Sequence, residues 1–207
     1  KQVKPIRIGT RVVVRPSWES VPLAPGDIEI VLDPKQAFGS GHHATTQLMI
    51  ELLEEQVKPG DAVLDIGSGS GLLAMVALRL GASRAVGVEC DPVAMECAQG
   101  YAVENGFGSE LQFHTGLVED LPLAARRWFP LIVANIDQLT LIAGASSWGS
   151  VVSWDGTTVL LSGILRDQVA EVQTAFARIG ARTATIRERE GWSALMLTFP
   201  DACEDKD

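Results

Sequence analysis

Cysteine is scarce in this chain. Three are present among 207 residues, Cys90, Cys97 and Cys203. The count is odd and no spacing matches a metal-ligand set, so structural thiols in a reducing compartment are expected, and with them a cytoplasmic location. Positive charge is also short. Seventeen Lys and Arg stand against 26 Asp and Glu, for a formal net charge of −9. Phosphate backbones are bound by Lys and Arg that displace counterions, so direct nucleic-acid binding is not expected, and a basic protein or a small molecule is the easier partner. No apolar run is long enough to span a membrane and no signal peptide opens the chain, so no membrane partner is expected either. There is no internal repeat and no low-complexity tract. The first residue is Lys1 and not Met, which leaves room for sequence upstream.

What is present suits one globular α/β domain with a small extension. Residues 1–36 read as N-terminal strands and a linker. Residues 6–14 alternate weakly, residues 28–32 alternate apolar with acidic, and Pro16, Pro22, Pro25 and Gly26 break the stretch between them. Leu48, Met49, Leu52 and Leu53 then recur at helical spacing until Lys58-Pro59-Gly60. From Asp61 onward, strands at 62–66, 85–89, 111–114, 131–134 and 157–161 alternate with helices at 72–80, 92–104, 139–147 and 168–179. Two closing strands, 182–187 and 193–199, flank Gly191 with no room for a helical crossover. The expected fold is α/β: a doubly wound, Rossmann-like, seven-stranded, mainly parallel sheet ending in an antiparallel hairpin. Residues 37–200 form that domain, and 201–207 are a polar tail.

The strongest site signal is Val63-Leu64-Asp65-Ile66-Gly67-Ser68-Gly69-Ser70-Gly71, where a strand turns into a helix. Glycines let the backbone approach a ligand, and the helix N-terminus offers N–H groups and partial positive charge. Glu89 ends the next strand, where a carboxylate can accept both hydroxyls of a ribose. Gly67, Gly69, Gly71 and Glu89 thus read as an adenosine-ribose site, with Asp65 either capping the loop or meeting a ligand amine. Gly69-Ser70-Gly71-Leu72-Leu73-Ala74 also fits the G-x-G-x-x-A dinucleotide form, so a nicotinamide enzyme is a competing reading. Against it stand the longer Asp-x-Gly-x-Gly-x-Gly run, the closing hairpin and the little room for a separate substrate domain. Asn135, at the end of the fourth strand, belongs at the crevice beyond the strand ends, where its amide can hold a substrate amine. It could equally be a turn-forming Asn. In residues 37–46, Thr45 and Thr46 can cap a helix, while Phe38, Gly39, Gly41, His42 and His43 suit either a plain entry loop or a lid. Two adjacent histidines without a nearby carboxylate or Cys make a poor metal site, and no metal is expected.

These residues resemble a known family. Ala37-Phe38-Gly39-Ser40-Gly41-His42-His43-Ala44-Thr45-Thr46, Asp65 to Gly71, Ala134-Asn135-Ile136 and Leu161-Ser162-Gly163-Ile164-Leu165 are similar, in order, to the bacterial ribosomal protein L-eleven methyltransferases (PrmA), as is Arg15-Pro16-Ser17-Trp18. The resemblance implies a class I methyltransferase that moves methyl groups from S-adenosylmethionine to amines of a ribosomal protein. It implies cofactor contacts from Thr46, Gly67, Glu89 and Asn135, with the loop from Phe38 to His43 bordering the methyl site. The chain departs from the family pattern in having Glu for Asp at 89, Ser for Cys at 68, Ala for Pro at 44, and Asp137-Gln138 for Leu-Ala. Family members also carry an N-terminal domain that grips the ribosomal protein, and this chain is expected to begin near the linker after it.

The expected function is therefore S-adenosylmethionine-dependent N-methylation of protein amines. Asn135 and His43 are the candidate catalytic residues, and Phe38, Thr46, Asp65, Gly67, Gly69, Gly71, Glu89 and Asn135 the candidate cofactor contacts. A small-molecule methyltransferase on the same core is one alternative. Another is a non-catalytic cofactor-binding module, with Asp137-Gln138 as the mark of a decayed substrate pocket. The sequence carries no signal of oligomeric state.

Overall fold

The computed structural model describes residues 4–33, 41–122, 129–150 and 154–200. Its first surprise is at the front, where the expected single strand over 6–14 is two. Gly9, at φ 60°, turns the chain, so that β1 (Ile6–Ile8) and β2 (Val12–Arg15) form an antiparallel hairpin. β3 (Ile28–Val31) pairs with β2 in parallel after the Pro-rich stretch. This small sheet is fastened at two places. The Glu54 carboxylate accepts hydrogen bonds from the backbone N–H of Thr10 (2.8 Å) and Arg11 (2.8 Å) and from the Thr10 hydroxyl (3.0 Å). Asn105 accepts from Val31 N at 2.7 Å and donates to Val31 O at 2.8 Å, completing both backbone groups of that strand residue.

From residue 44 on, the alternation of elements follows the sequence pattern. The chain runs α1 (Ala44–Gln56), β4 (Ala62–Ile66), α2 (Leu72–Leu80), β5 (Arg84–Glu89), α3 (Pro92–Glu104), β6 (Leu111–Thr115), β7 (Leu131–Asn135), α4 (Gln138–Ser147), β8 (Thr158–Leu165), α5 (Val169–Ala177), β9 (Arg182–Arg189) and β10 (Trp192–Thr198). β4 to β10 build a seven-stranded sheet in the order β6-β5-β4-β7-β8-β10-β9. β10 alone runs opposite to the other six strands, slotted between β8 and β9. β8 extends four residues beyond its expected end because β10 pairs along it as far as Leu165.

Side chains alternate across the pleat, so each central strand feeds two cores. Val63, Val133 and Leu160 face α1 and α2, in one apolar cluster that also takes Ile8, Val12, Val14, Ile28, Ile30 and Leu32 from the small sheet. Leu64, Ile132 and Leu161 face the other way, toward α4 and α5, with Trp148 and Phe176. Strand order reverses at β4, which lies between β5 and β7. That switch point opens a crevice beyond the carboxyl ends of β4, β5 and β7.

Candidate functional site

The loop after β4 is tied to the next strand before any ligand is considered. Gly67 N and Ser68 N both donate to Val88 O, at 2.8 and 3.0 Å. Gly67 sits at φ 68°, and a β-carbon there would overlap the Cγ2 methyl of Ile136. Glycine is therefore required both by the backbone and by the neighbour. Gly69 also has positive φ, and Gly71 caps α2 while packing on Phe113, whose Cζ would lie 2.7 Å from an added β-carbon.

Asp65 lies beneath this loop on the α2 side of the sheet and is 1% exposed. One carboxylate oxygen accepts the Ala74 N–H in the first turn of α2 at 3.1 Å, and the other has no partner. Burial pushes the carboxyl up to about 7. The Ala74 hydrogen bond opposes this, and the nearby Glu89 charge adds to it. Asp65 does not line the crevice.

Glu89 ends β5 with its carboxylate held from both sides. One oxygen accepts Gly69 N at 3.0 Å and the other Asp91 N at 2.9 Å. The second oxygen also accepts the Cys90 thiol at 3.5 Å. A carboxylate has about four acceptor positions, so the oxygen bonded to Gly69 keeps one open. The crevice has two lobes. One, of about 200 Å³, has mainly apolar walls from Val88, Leu117, Val118, Ile136 and Trp148, with Cys90, Glu119, Asp137 and Thr140 also in its lining. Burial and the adjacent Glu89 raise the Cys90 thiol. The other, of about 190 Å³, is lined by Thr46, the loop from Gly67 to Ser70, Leu72, Leu73 and Asn135. Gly67, Glu89 and Ile136 belong to both.

Asn135 and Ile136 come from the end of β7. The Asn135 amide donates to the Thr46 hydroxyl at 3.5 Å, joining β7 to the start of α1. Ile136 is locked from behind. Its N–H donates to Ser162 O at 3.2 Å, and its backbone rests on Gly163, where a β-carbon would collide with the Ile136 carbonyl. Asp137, at the position where the sequence suggested a decayed pocket, caps α4. Its carboxylate accepts the Thr140 N–H (3.1 Å) and hydroxyl (2.6 Å), and these bonds hold it below the usual carboxylate range.

Of the residues singled out in the sequence, Thr46, Gly67, Gly69, Glu89 and Asn135 meet around one lobe. Gly71 and Asp65 support the loop from below. His43 lines neither lobe. It caps α1, with Nδ1 2.8 Å from the Thr45 hydroxyl and its ring edge-on to Trp192 at 4.9 Å. Phe38 lies outside the described residues. Sequence reasoning missed Leu117, Val118 and Trp148, because only the tertiary packing of distant segments brings them to the β5 end. Gly163 stood inside a motif but carried no signal of its contact with Ile136. Among the described residues there is no cluster of three or more His, Cys, Asp or Glu able to hold a metal, and no helix is long and apolar enough to cross a membrane.

Residues 1–199 match the family model described as ribosomal protein L11 methyltransferase (PrmA). The chain is 41% identical over 196 residues to the ribosomal protein L11 methyltransferase of Pelotomaculum thermopropionicum, covering 94% of this chain and 62% of that one. It is 41% identical over 197 residues to the protein of the same name from Burkholderia mallei, covering 95% and 62%. It thus spans less than two thirds of the length of these relatives. The crystal structure of ribosomal protein L11 methylase from Lactobacillus delbrueckii subsp. bulgaricus matches with a TM-score of 0.83 at 28% identity, over 97% of this chain and 100% of that chain. An RNA methyltransferase from Salinibacter ruber, crystallised with S-adenosyl-L-homocysteine, shares the fold at a TM-score of 0.58 and 20% identity, over 77% and 96% of the two chains. By the near-complete family match and the identity to these relatives, the chain belongs to the ribosomal protein L11 methyltransferase (PrmA) family.

Proposed function

We propose that this chain binds S-adenosylmethionine and transfers its methyl group to an amine of a basic ribosomal protein in the cytoplasm. The observation that carries the reading is the two-lobed crevice with Glu89 at its middle. Its lobes differ in character as the two ends of an adenosyl amino acid differ. Either lobe alone falls short of the roughly 300 Å³ at which small-molecule pockets begin, and together they reach it. The apolar lobe suits a flat base between Val88, Val118 and Trp148. The lobe at the glycine loop suits a charged amino-acid tail, with backbone, hydroxyl and amide groups around it. Between them, the prepositioned Glu89 carboxylate has one acceptor position open on the oxygen bonded to Gly69, and a second comes free when a ribose hydroxyl replaces the weak Cys90 thiol donor.

When bound, the cofactor supplies an already activated sulfonium methyl. The protein then has to align the acceptor and keep water away. Asn135 directs its amide N–H toward Thr46, which leaves its amide oxygen to accept an N–H from the incoming amine and turn the lone pair toward the methyl. Alignment of this kind accounts for as much as about 7–11 kcal/mol of a barrier. His43 is assigned to holding the start of α1, and with it Thr46, rather than to taking the amine's proton, which passes to water. The net charge of −9 favours a basic acceptor.

Calorimetry with S-adenosylhomocysteine, followed by labelled methyl transfer to purified ribosomal protein L11 and to host lysate, tests both halves. Absence of binding would remove the cofactor assignment. Binding with label only in small metabolites would remove the protein acceptor.

A further inference from the structure

The middle of the crevice is built differently from its ends. The two lobes have three residues in common: Gly67, Glu89 and Ile136. Gly67 offers no side chain and Glu89 is pinned by Gly69 N and Asp91 N. The variable wall of this waist is therefore Ile136, whose Cγ2 methyl lies directly against the face of Gly67.

Three features keep that wall from receding. The Ile136 backbone is packed onto Gly163 and bonded to Ser162 O. The next residue, Asp137, is fixed as the cap of α4. The side chain itself is branched at Cβ and has few rotamers open to it. An aliphatic wall held in this way acts as a gauge, because packed protein yields little to added volume.

Connectivity of the ligand then decides what is gauged. In an adenosyl sulfonium, the sulfur and its third substituent lie between the nucleoside and the amino-acid chain. With the base in one lobe and the amino acid in the other, that substituent falls at the waist. We infer that Ile136 is the residue that sets the size of the sulfonium substituent this site admits, passing methyl and rejecting longer alkyl groups. The inference rests on the cofactor reading above and adds to it a residue that determines specificity.

Binding tests this without knowledge of the acceptor. The affinities of the full 207-residue chain and of its Ile136→Ala variant are measured by calorimetry for S-adenosylmethionine, for its analogue with allyl in place of methyl, and for S-adenosylhomocysteine. The parent is expected to prefer methyl over allyl by about tenfold or more, the scale on which an apolar pocket resolves added methylenes. Ile136→Ala is expected to lose that preference, with the methyl-to-allyl affinity ratio falling by about tenfold. An unchanged ratio in a variant that still binds S-adenosylhomocysteine would overturn the role of Ile136 and leave the cofactor reading standing. Failure of the folded parent to bind any of the three ligands would overturn both. Should Ile136→Ala not fold, Ile136→Val removes one methyl group and is expected to move the ratio in the same direction by a few-fold, and no movement there would count equally against the assignment.

Discussion

Replacing Gly67 with alanine probes the waist of the crevice with a single methyl group. Two costs add. Gly67 holds φ 68°, and a left-handed backbone costs an L-residue about 1–2 kcal/mol. The new β-carbon also meets Cγ2 of Ile136, which is backed by Gly163. Relief forces Ile136 off its rotamer, at about 0.5–1.5 kcal/mol. Gly67→Ala should therefore lose about 1.5–3.5 kcal/mol of stability. Gly60 is the control. It has φ 91°, and nothing lies within 4 Å of its added β-carbon. It stands in the turn before β4, at the far end of that strand from the crevice. Gly60→Ala carries the backbone cost alone, so the pair should differ by about 1 kcal/mol in denaturant unfolding. Calorimetry with S-adenosylhomocysteine should separate them further. A displaced Ile136 obstructs the waist, so Gly67→Ala should bind at least about tenfold more weakly, while Gly60→Ala binds like the parent. Equal stabilities together with equal affinities would refute the account of this contact.

Glu89→Gln keeps the shape of the side chain but removes the charge from the ribose contacts proposed for it, and should weaken S-adenosylhomocysteine by about ten- to a hundredfold in calorimetry, since hydrogen bonds to a charged group contribute about 1.5–3 kcal/mol. Asn135→Ala should lower turnover more than cofactor affinity, checked by comparing methyl transfer to ribosomal protein L11 with S-adenosylhomocysteine binding; equal losses would make Asn135 a cofactor contact only. Asp65 links stability to pH. Its carboxyl is raised from 3.8 to about 7 in the fold, so between those values the unfolded chain has given up a proton that the folded chain retains. Its contribution to stability therefore falls as pH rises from about 4 to 7 and is level above that. Melting temperatures at pH 5 and pH 8 should show this dependence reduced in Asp65→Asn relative to the parent.

The sheet was legible because punctuation and period agree from Asp61 onward. Gly81, Pro92 and Gly106 end or begin elements where the apolar rhythm changes, and short runs such as Leu131 to Ala134 are apolar throughout, as strands buried on both faces must be. The front was less legible. The split at Gly9 and the parallel pairing of β2 with β3 depend on Glu54 and Asn105, which are far away in sequence and have no local signature. The glycine loop and Glu89 could be found because a backbone cradle and a strand-end carboxylate follow from chain direction alone. Leu117, Val118 and Trp148 could not, because packing alone makes them neighbours. Asp137 shows the limit of comparing residue types. Its departure from the family pattern suggested damage, whereas its side chain carries out the ordinary work of a helix cap.

The shared core beneath the small front sheet sets a rule for anyone trimming this chain. Starting a minimal catalytic fragment at residue 37, where the nucleotide-site motifs begin, would strip Ile8, Val12, Val14, Ile28, Ile30 and Leu32 from the same cluster that holds Leu48, Leu53 and Met75. The remainder would present a broad greasy surface to solvent, and such a fragment should precipitate on expression rather than yield a smaller enzyme.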